Sequence, residues 1–209
     1  MTRKKSLGEY RSKRDFHKTP EPPGDNGASA QRKRIFVIQK HDASKLHYDL
    51  RIEVDGVLMS WVVPKGPSTD PREKRLALPT EDHPLDYADF EGVIAEGEYG
   101  GGSVMVWDAG RYRNLKTDDD GNEIDMRQCV DGGHVEISLY GKKLRGGYAL
   151  IRTDGKSEPE PRWLLIKMKD DQADARRNPT STENKSVLTN RTMKQIATEA
   201  KKEFKGKED

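Results

Sequence analysis

Residues 46–63, LHYDLRIEVDGVLMSWVV, alternate apolar and polar side chains on both sides of Asp55-Gly56. An Asp-Gly pair between two such runs marks a two-residue hairpin turn, because both central residues of that turn take positive φ. The turn sets the register. Val54 faces Val57, Ile52 faces Met59 and Leu50 faces Trp61. Side chains alternate between the faces of a strand, so Leu50, Ile52 and Val54 share one face with Val57, Met59, Trp61 and Val63. The other face carries His47, Asp49, Arg51 and Glu53, with Ser60 opposite Arg51 and Val62 opposite Asp49. An acid-base row therefore lies on the side away from the hydrophobic layer.

The rest of the chain supplies partners for this hairpin. RIFVIQKH (34–41), HVEISLYG (134–141), YALIRT (148–153) and RWLLIKMKD (162–170) read as strands, and Ser103 to Trp107 is another. RLALPTEDHPLDY (75–87) begins as a short strand that proline breaks. PKGPSTDPREK (64–74), GKKLRGG and DGKSEPEP are loop or turn, and only TMKQIATEAKKEF (192–204) has helical composition. Many short strands at regular turn spacing predict a mainly β fold, an antiparallel β-barrel with short loops and a short C-terminal helix.

A length of 209 residues allows one ordinary domain with extensions. Hydrophobic residues make up 32% and charged residues 35%, which points to polar ends around a smaller core. Residues 1–34 hold ten Lys/Arg against four Asp/Glu, a basic arm that could meet a polyanion such as nucleic acid or simply be solvated. The predicted division is arm 1–34, barrel 35–171 and polar tail 172–209. Cys129 is the single cysteine, which excludes a disulfide framework and a cysteine zinc cluster and predicts a buried or inert thiol. No apolar run approaches a membrane span and the first residues lack the apolar stretch of a secretory signal, so a cytoplasmic protein without a membrane partner is expected.

His47 and Asp49 lie two apart on a strand, with about 7 Å between their Cα atoms. A divalent ion with bonds of about 2.0–2.2 Å bridges that gap, and imidazole with carboxylate suits zinc, iron or manganese. His41 can return as a third ligand from the preceding strand. Arg51, next on the same face, suits an oxyanion beside the metal. A solvent-facing polar strand with a cross-strand ion pair is the alternative. Arg75, Glu81, His83 and Tyr87 form a second polar set near a strand end. The run EGEYGGGS lacks the Lys-Ser/Thr and helix start of a phosphate loop and reads as a tight bend. There is no G-x-S-x-G elbow and Cys129 has no evident activating partner, which disfavours a side-chain nucleophile.

Five longer runs, YRSKRDFHKTPEP (10–22), FVIQKHDASKLHYDLRIE (36–53), SWVVPKGPS (60–68), EDHPLDYADFEGVI (81–94) and GEYGGGSVMVWDAG (97–110), closely resemble the 3′-phosphoesterase domain of bacterial DNA ligase D. GYALIRT and WLLIKMKDD continue the likeness, which spans roughly residues 9–171, and SVLTNRTMKQIA resembles the segment that follows the domain in longer ligases. The resemblance implies a DNA-repair enzyme that trims a 3′-terminal ribonucleoside by a phosphodiesterase step and then removes the 3′-phosphate. It implies a β-barrel and a divalent metal, typically Mn2+, held by His41, His47 and Asp49. Arg51, His83 and Tyr87 match its phosphate-binding and catalytic positions, Arg75 and Glu81 supporting ones, and Arg14, Asp15 and Glu21 functional positions in an amino-terminal segment. By that likeness the arm folds over the site rather than being merely solvated. The implied substrate is a DNA primer-template with a 3′-ribonucleotide or 3′-phosphate end. No Lys-x-Asp-Gly ligase signature is present, so the chain reads as a free-standing phosphoesterase for which coupling to a separate DNA ligase or to Ku is conjecture. Two rivals stay open: an iron oxygenase with His134 as the distant ligand, and a non-catalytic nucleic-acid-binding barrel using the basic arm.

Overall fold

The computed structural model describes residues 7–24, 34–153 and 161–205. Nine antiparallel strands follow one another: β1 (Ile35–Asp42), β2 (Leu46–Val54), β3 (Val57–Val63), β4 (Lys74–His83), β5 (Gly92–Ile94), β6 (Gly102–Asn114), β7 (His134–Gly141), β8 (Arg145–Thr153) and β9 (Arg162–Lys167). Their order is β1-β2-β3-β4-β9-β8-β7-β6-β5, and β1 also pairs with β6. Eight strands therefore close a barrel, as the sequence predicts, and β5 adds a short ninth at the edge of β6. The long strand β6 makes the closure: its residues 103–111 pair with β1, and 110–114 with β7.

The β2–β3 register is the one the Asp-Gly turn demands, with Val54 opposite Val57, Leu50 opposite Trp61 and Arg51 opposite Ser60. Asp55 and Gly56 take φ of 52° and 82°, the positive pair of that turn. Proline does not break the following strand. β4 runs on through Pro79 to His83, pairing with β9 only as far as Ala77, so Pro79 lies where the strand has a single neighbour and its missing N–H is tolerated. The DGKSEPEP turn falls mainly outside the described residues.

An eight-stranded barrel has an interior that side chains just fill. Phe36, Ile38, Leu50, Ile52, Trp61, Trp107, Tyr148 and Leu165 are among those that fill this one. Trp61 and Trp163 meet edge to face with centroids 5.7 Å apart. A second apolar cluster lies on the outside of β1, β3 and β6, where Tyr10, Val37, Leu58, Leu85, Tyr87, Ala88 and Val106 pack together. It is capped by helix α1 (Gly8–Ser12) and by a 3-10 turn at Leu85–Asp89. This outer layer explains why β1 and β2 are buried on both faces, and why the acid-base row is not a solvated surface.

Among the described residues three further helices occur, two of them too short to show in composition: α2 (Met126–Asp131), α3 (Pro179–Thr182) and α4 (Met193–Lys205). Asp125 caps α2 by accepting from the N–H groups of Arg127 and Gln128. The polar carboxyl-terminal segment is strapped to the barrel: Trp107 Nε1 donates to the Glu183 carbonyl at 2.7 Å, Tyr48 Oη to that of Thr180 at 3.1 Å, and Ile196 of α4 enters the core cluster. Cys129 is buried, with its thiol pKa pushed up by burial. No helix among the described residues is long and apolar enough to cross a membrane.

Candidate active site

The β1–β2 register sets His41 directly opposite His47, and Asp49 follows two residues later on the same face. Nitrogens of both rings and a carboxylate oxygen lie within 4.8 Å of one another. Backbone carbonyls choose the nitrogens. His47 Nδ1 lies 2.8 Å from the Lys45 carbonyl, which only accepts, so Nδ1 carries the proton and Nε2, 3.8 Å from Asp49 Oδ1, is free to ligate. His41 Nε2 lies 2.8 Å from the Gly100 carbonyl, which leaves Nδ1, 3.7 Å from Asp49 Oδ2, as its ligating atom. Burial pushes the Asp49 pKa up, but Arg51 and the two imidazoles outweigh it and hold the group at about 2. Two unprotonated nitrogens and an ionised carboxylate converging on one point fit a divalent metal ion.

Gly102 keeps this end closed. It has φ of +140°, and a Cβ there would stand 2.3 Å from the Asp42 carbonyl oxygen, so only glycine lets the loop carrying Gly100 approach the end of β1.

Arg51 leads from the metal group into a buried anion pocket. Its Nη2 donates to Asp49 Oδ2 at 3.0 Å, Nε to Gln39 Oε1 at 2.8 Å and Nη1 to Ser60 Oγ at 2.9 Å, and Nη1 also stands 3.0 Å from His83 Nδ1, which leaves one N–H, on Nη2, for another partner. Beyond it stands His83, whose Nδ1 is 2.8 Å from the Glu81 carbonyl and whose Nε2 is 3.3 Å from Arg14 Nη2. The Glu81 carbonyl calls for a proton on Nδ1, while Arg51 Nη1, 3.0 Å from that same nitrogen, and Arg14 at Nε2 bring guanidinium donors to the ring. Burial, then Arg51 and Arg14, hold the His83 pKa well below its ordinary value, so the imidazole is neutral near pH 7. A protonated His83 is therefore not the resting state.

The amino-terminal segment completes the pocket from above. Arg14 donates to Glu21 Oε1 at 2.8 Å and to Glu81 Oε1 at 3.0 Å, and the Tyr87 hydroxyl donates to Glu21 Oε1 at 2.9 Å. Burial raises the Tyr87 pKa well above its usual value, so it stays a phenol and a donor. Glu81 is held at about 2, because the Thr80 hydroxyl, a backbone N–H, Arg14 and Lys13 outweigh the effect of burial. Together these side chains enclose a cavity of about 130 Å³.

His41, His47, Asp49, Arg51, Glu81, His83, Tyr87, Arg14 and Glu21 all line that one cavity. Two expected residues do not. Arg75 lies near the far end of β4, bonded to Glu73 and lining a different hollow with Asp70 and Arg177. Asp15 turns away to accept from the His17 N–H and pairs with Lys18, so it shapes the turn after α1. His134, the ligand an oxygenase would need, is on β7, paired with Glu136 at 2.8 Å and outside the metal group. Sequence reading set Ser60 opposite Arg51 without giving it a role, and missed Gln39, Thr80 and Tyr99. Gln39 shares the face of His41 and was findable by strand alternation; Tyr99, on the glycine-rich bend, had no such signal.

The fold and cavity thus define a closed β-barrel in which a group of three candidate metal ligands and two buried arginines share one wall. The chain belongs to the DNA ligase D 3′-phosphoesterase domain family, whose model matches residues 39–152. It is 46% identical over 196 residues to the multifunctional non-homologous end joining protein LigD of Pseudomonas aeruginosa, an alignment covering 92% of this chain and 22% of that protein. The multifunctional non-homologous end joining DNA repair protein LigD of Mycobacterium tuberculosis is 45% identical over 163 residues, 78% of this chain and 20% of the relative. The LigD of Mycolicibacterium smegmatis is 44% identical over 167 residues, 78% and 21%. The chain spans about a fifth of the length of these relatives.

Proposed function

We infer that the protein heals DNA 3′ ends in repair and end joining, removing 3′-terminal ribonucleosides as a phosphodiesterase and 3′-phosphates as a phosphomonoesterase to leave a 3′-hydroxyl. The observation that carries this reading is the shared Asp49–Arg51 contact, which sets a three-ligand metal group and a buried arginine side by side in one small cavity. Charge supports it. Arg14 and Arg51 face Asp49, Glu21 and Glu81 in the lining, one negative charge in excess; a divalent ion turns this to one positive, which a phosphodiester neutralises.

His41 Nδ1, His47 Nε2 and Asp49 would hold the ion, for which manganese is the proposed identity. When bound, it would neutralise phosphate charge and act as a Lewis acid. Arg51 would offer its spare Nη2 N–H to a phosphate oxygen, in a site preorganised by its contacts to Asp49, Gln39 and Ser60. An anion beside His83 offsets the two arginines that keep the ring neutral, which makes protonation, and assistance to the leaving oxygen, easier once substrate is present. Arg14 holds its place through Glu21 and Glu81, and Tyr87 through Glu21, so residues 7–24 of the arm belong to the machinery of the barrel 35–171. The substrate is a primer-template in the cytoplasm, and a separate DNA ligase or Ku is the proposed next partner in end joining.

The test is a labelled primer-template bearing a 3′-phosphate or a single 3′-ribonucleotide, incubated with the protein and manganese. Conversion to a 3′-hydroxyl, abolished by EDTA and by His47→Ala, is the expected result. A folded, metal-loaded protein inert on both ends would refute the reading.

A further inference from the structure

Two patches of opposite charge lie side by side on the outside of the barrel. The first is a row across three strands: register sets Arg111 of β6 opposite Tyr140 of β7, and Tyr140 opposite Arg145 of β8. Directly opposed residues have Cβ atoms about 5 Å apart, so the three side chains stand shoulder to shoulder. Arg113, two residues along β6, shares the face of Arg111. The second patch follows at once in sequence, where a bridge between Thr117 and Glu123 closes a tight bend with Asp118, Asp119 and Asp120 at its tip. The row and the aspartates are all exposed.

Within the fold these charges are largely unspent. Among the described residues neither Arg111 nor Arg113 has a carboxylate partner, and Arg145 donates through Nε to the Gly141 carbonyl at 3.1 Å. Asp118 accepts from the N–H groups of Asp120 and Asn122 and so shapes the bend, whereas among the described residues the Asp119 and Asp120 carboxylates hold no cation. Arg34 ties the two patches together. It binds the Glu123 carboxylate through both Nη groups and, with Arg111, borders a hollow of about 620 Å³ that opens beside Tyr140. Tyr140, 55% exposed, is the most exposed large apolar side chain among the described residues.

We propose that this face docks on the same face of a second copy, in a two-fold dimer where the arginine row of each chain meets the aspartate tip of the other and Tyr140 enters the other copy's hollow. Charge selects the partner. Three arginines face outward beside three aspartates, so a partner of either single sign would be drawn to one patch and repelled by the other. A two-fold axis passing between the patches sets each on its opposite, which is the self-complementarity an isologous interface requires. Exposed ion pairs are worth little singly, and Tyr140 supplies the aromatic anchor that they lack. Along β1, Ile35 lies opposite Arg111 and His41 opposite Val104, so six residues, about 20 Å, separate the row from the candidate metal group. Both cavities therefore stay clear of the contact, and the dimer stands independently of the end-healing reading.

The test is sedimentation velocity on the full-length protein. Wild type at about 100 μM sediments mainly as a dimer in about 50 mM NaCl and as a monomer in about 500 mM NaCl, because added salt screens exposed charges. Arg111→Glu/Arg113→Glu/Arg145→Glu is monomeric at the lower salt, and so is Asp119→Lys/Asp120→Lys. Mixed in equal amounts, these two variants form a dimer, since every contact across the axis again joins opposite charges. Tyr140→Ala weakens self-association at least about tenfold. Melting curves stay at wild-type values in every variant, which separates lost docking from lost folding. A wild type that stays monomeric at the lower salt, a dimer that survives either charge reversal, or reversed variants that fail to pair when mixed overturns the proposal.

Discussion

Arg14 Nη1 donates to Glu81 Oε1 across 3.0 Å, joining the amino-terminal segment to β4 through two side chains only 4% and 1% exposed. The same guanidinium holds Glu21, so one cation binds two buried carboxylates, with Lys13 on the other oxygen of Glu81. Breaking such a pair by removing one partner leaves uncompensated buried charge, at a cost of about 3–5 kcal/mol. Arg14→Ala should therefore lower stability to urea by about that amount, and Arg14→Met combined with Glu21→Gln and Glu81→Gln should restore much of it. Comparing the two variants by urea denaturation measures the contribution directly.

Acid should undo the same contact. The Glu81 carboxyl sits at about 2 in the folded protein against an ordinary 4.5. A carboxyl with a depressed folded pKa contributes stability that is complete above its unfolded value and is lost as pH falls towards the folded one. The stability that Glu81 contributes should thus be whole above about pH 4.5 and disappear between there and pH 2. In denaturation curves across that window, Glu81→Gln should flatten the decline; an unchanged slope would show that Glu81 is not the group responsible.

Its neighbour has the opposite sign. Burial raises the Asp82 carboxyl to about 6 from an ordinary 3.8, only partly countered by Arg127. Stability from such a group is present below its unfolded pKa and lost as pH rises through the folded one. Asp82→Asn should therefore raise the melting temperature at pH 7.5 and change it little at pH 3.5, which differential scanning calorimetry at the two values checks.

Metal affinity should depend on a residue that offers no ligand. Gly102→Ala pushes a methyl group against the Asp42 carbonyl and displaces the bend whose Gly100 carbonyl orients His41. Loss of such orientation typically weakens metal binding about 10–100-fold. Calorimetric titration with manganese should show that loss in Gly102→Ala, near-complete loss in His41→Ala, and wild-type binding in His134→Ala.

The hairpin at 46–63 was legible to the residue because turn chemistry and a period of two agree. β6 is longer than Ser103 to Trp107 because its second half carries Asp108 and three arginine or glycine positions that look like loop but face outward or into a turn. Pro79 misled because pairing on a single side removes the usual objection to proline. Charge alone made the arm look solvated; Tyr10, wholly buried, and Arg14, bonded to two carboxylates, show that scattered anchors outweigh net charge. The roles of Gly100 and Lys45 were invisible, since they act through carbonyls that every residue possesses. Arg75 and Asp15 carried suitable side chains, but strand position and a local turn sent them elsewhere.

The three candidate metal ligands come from one hairpin, residues 41–49, whereas the rest of the cavity draws on residues 14 and 21, 51, and 81–87. A hairpin closes in microseconds, while contacts distant in sequence wait on the slower assembly of the barrel. The candidate cation group therefore rests mainly on two adjacent strands, with the Gly100 carbonyl added by the bend before β6, whereas the pocket around Arg51 and His83 is complete only when the amino-terminal segment has docked on a finished barrel.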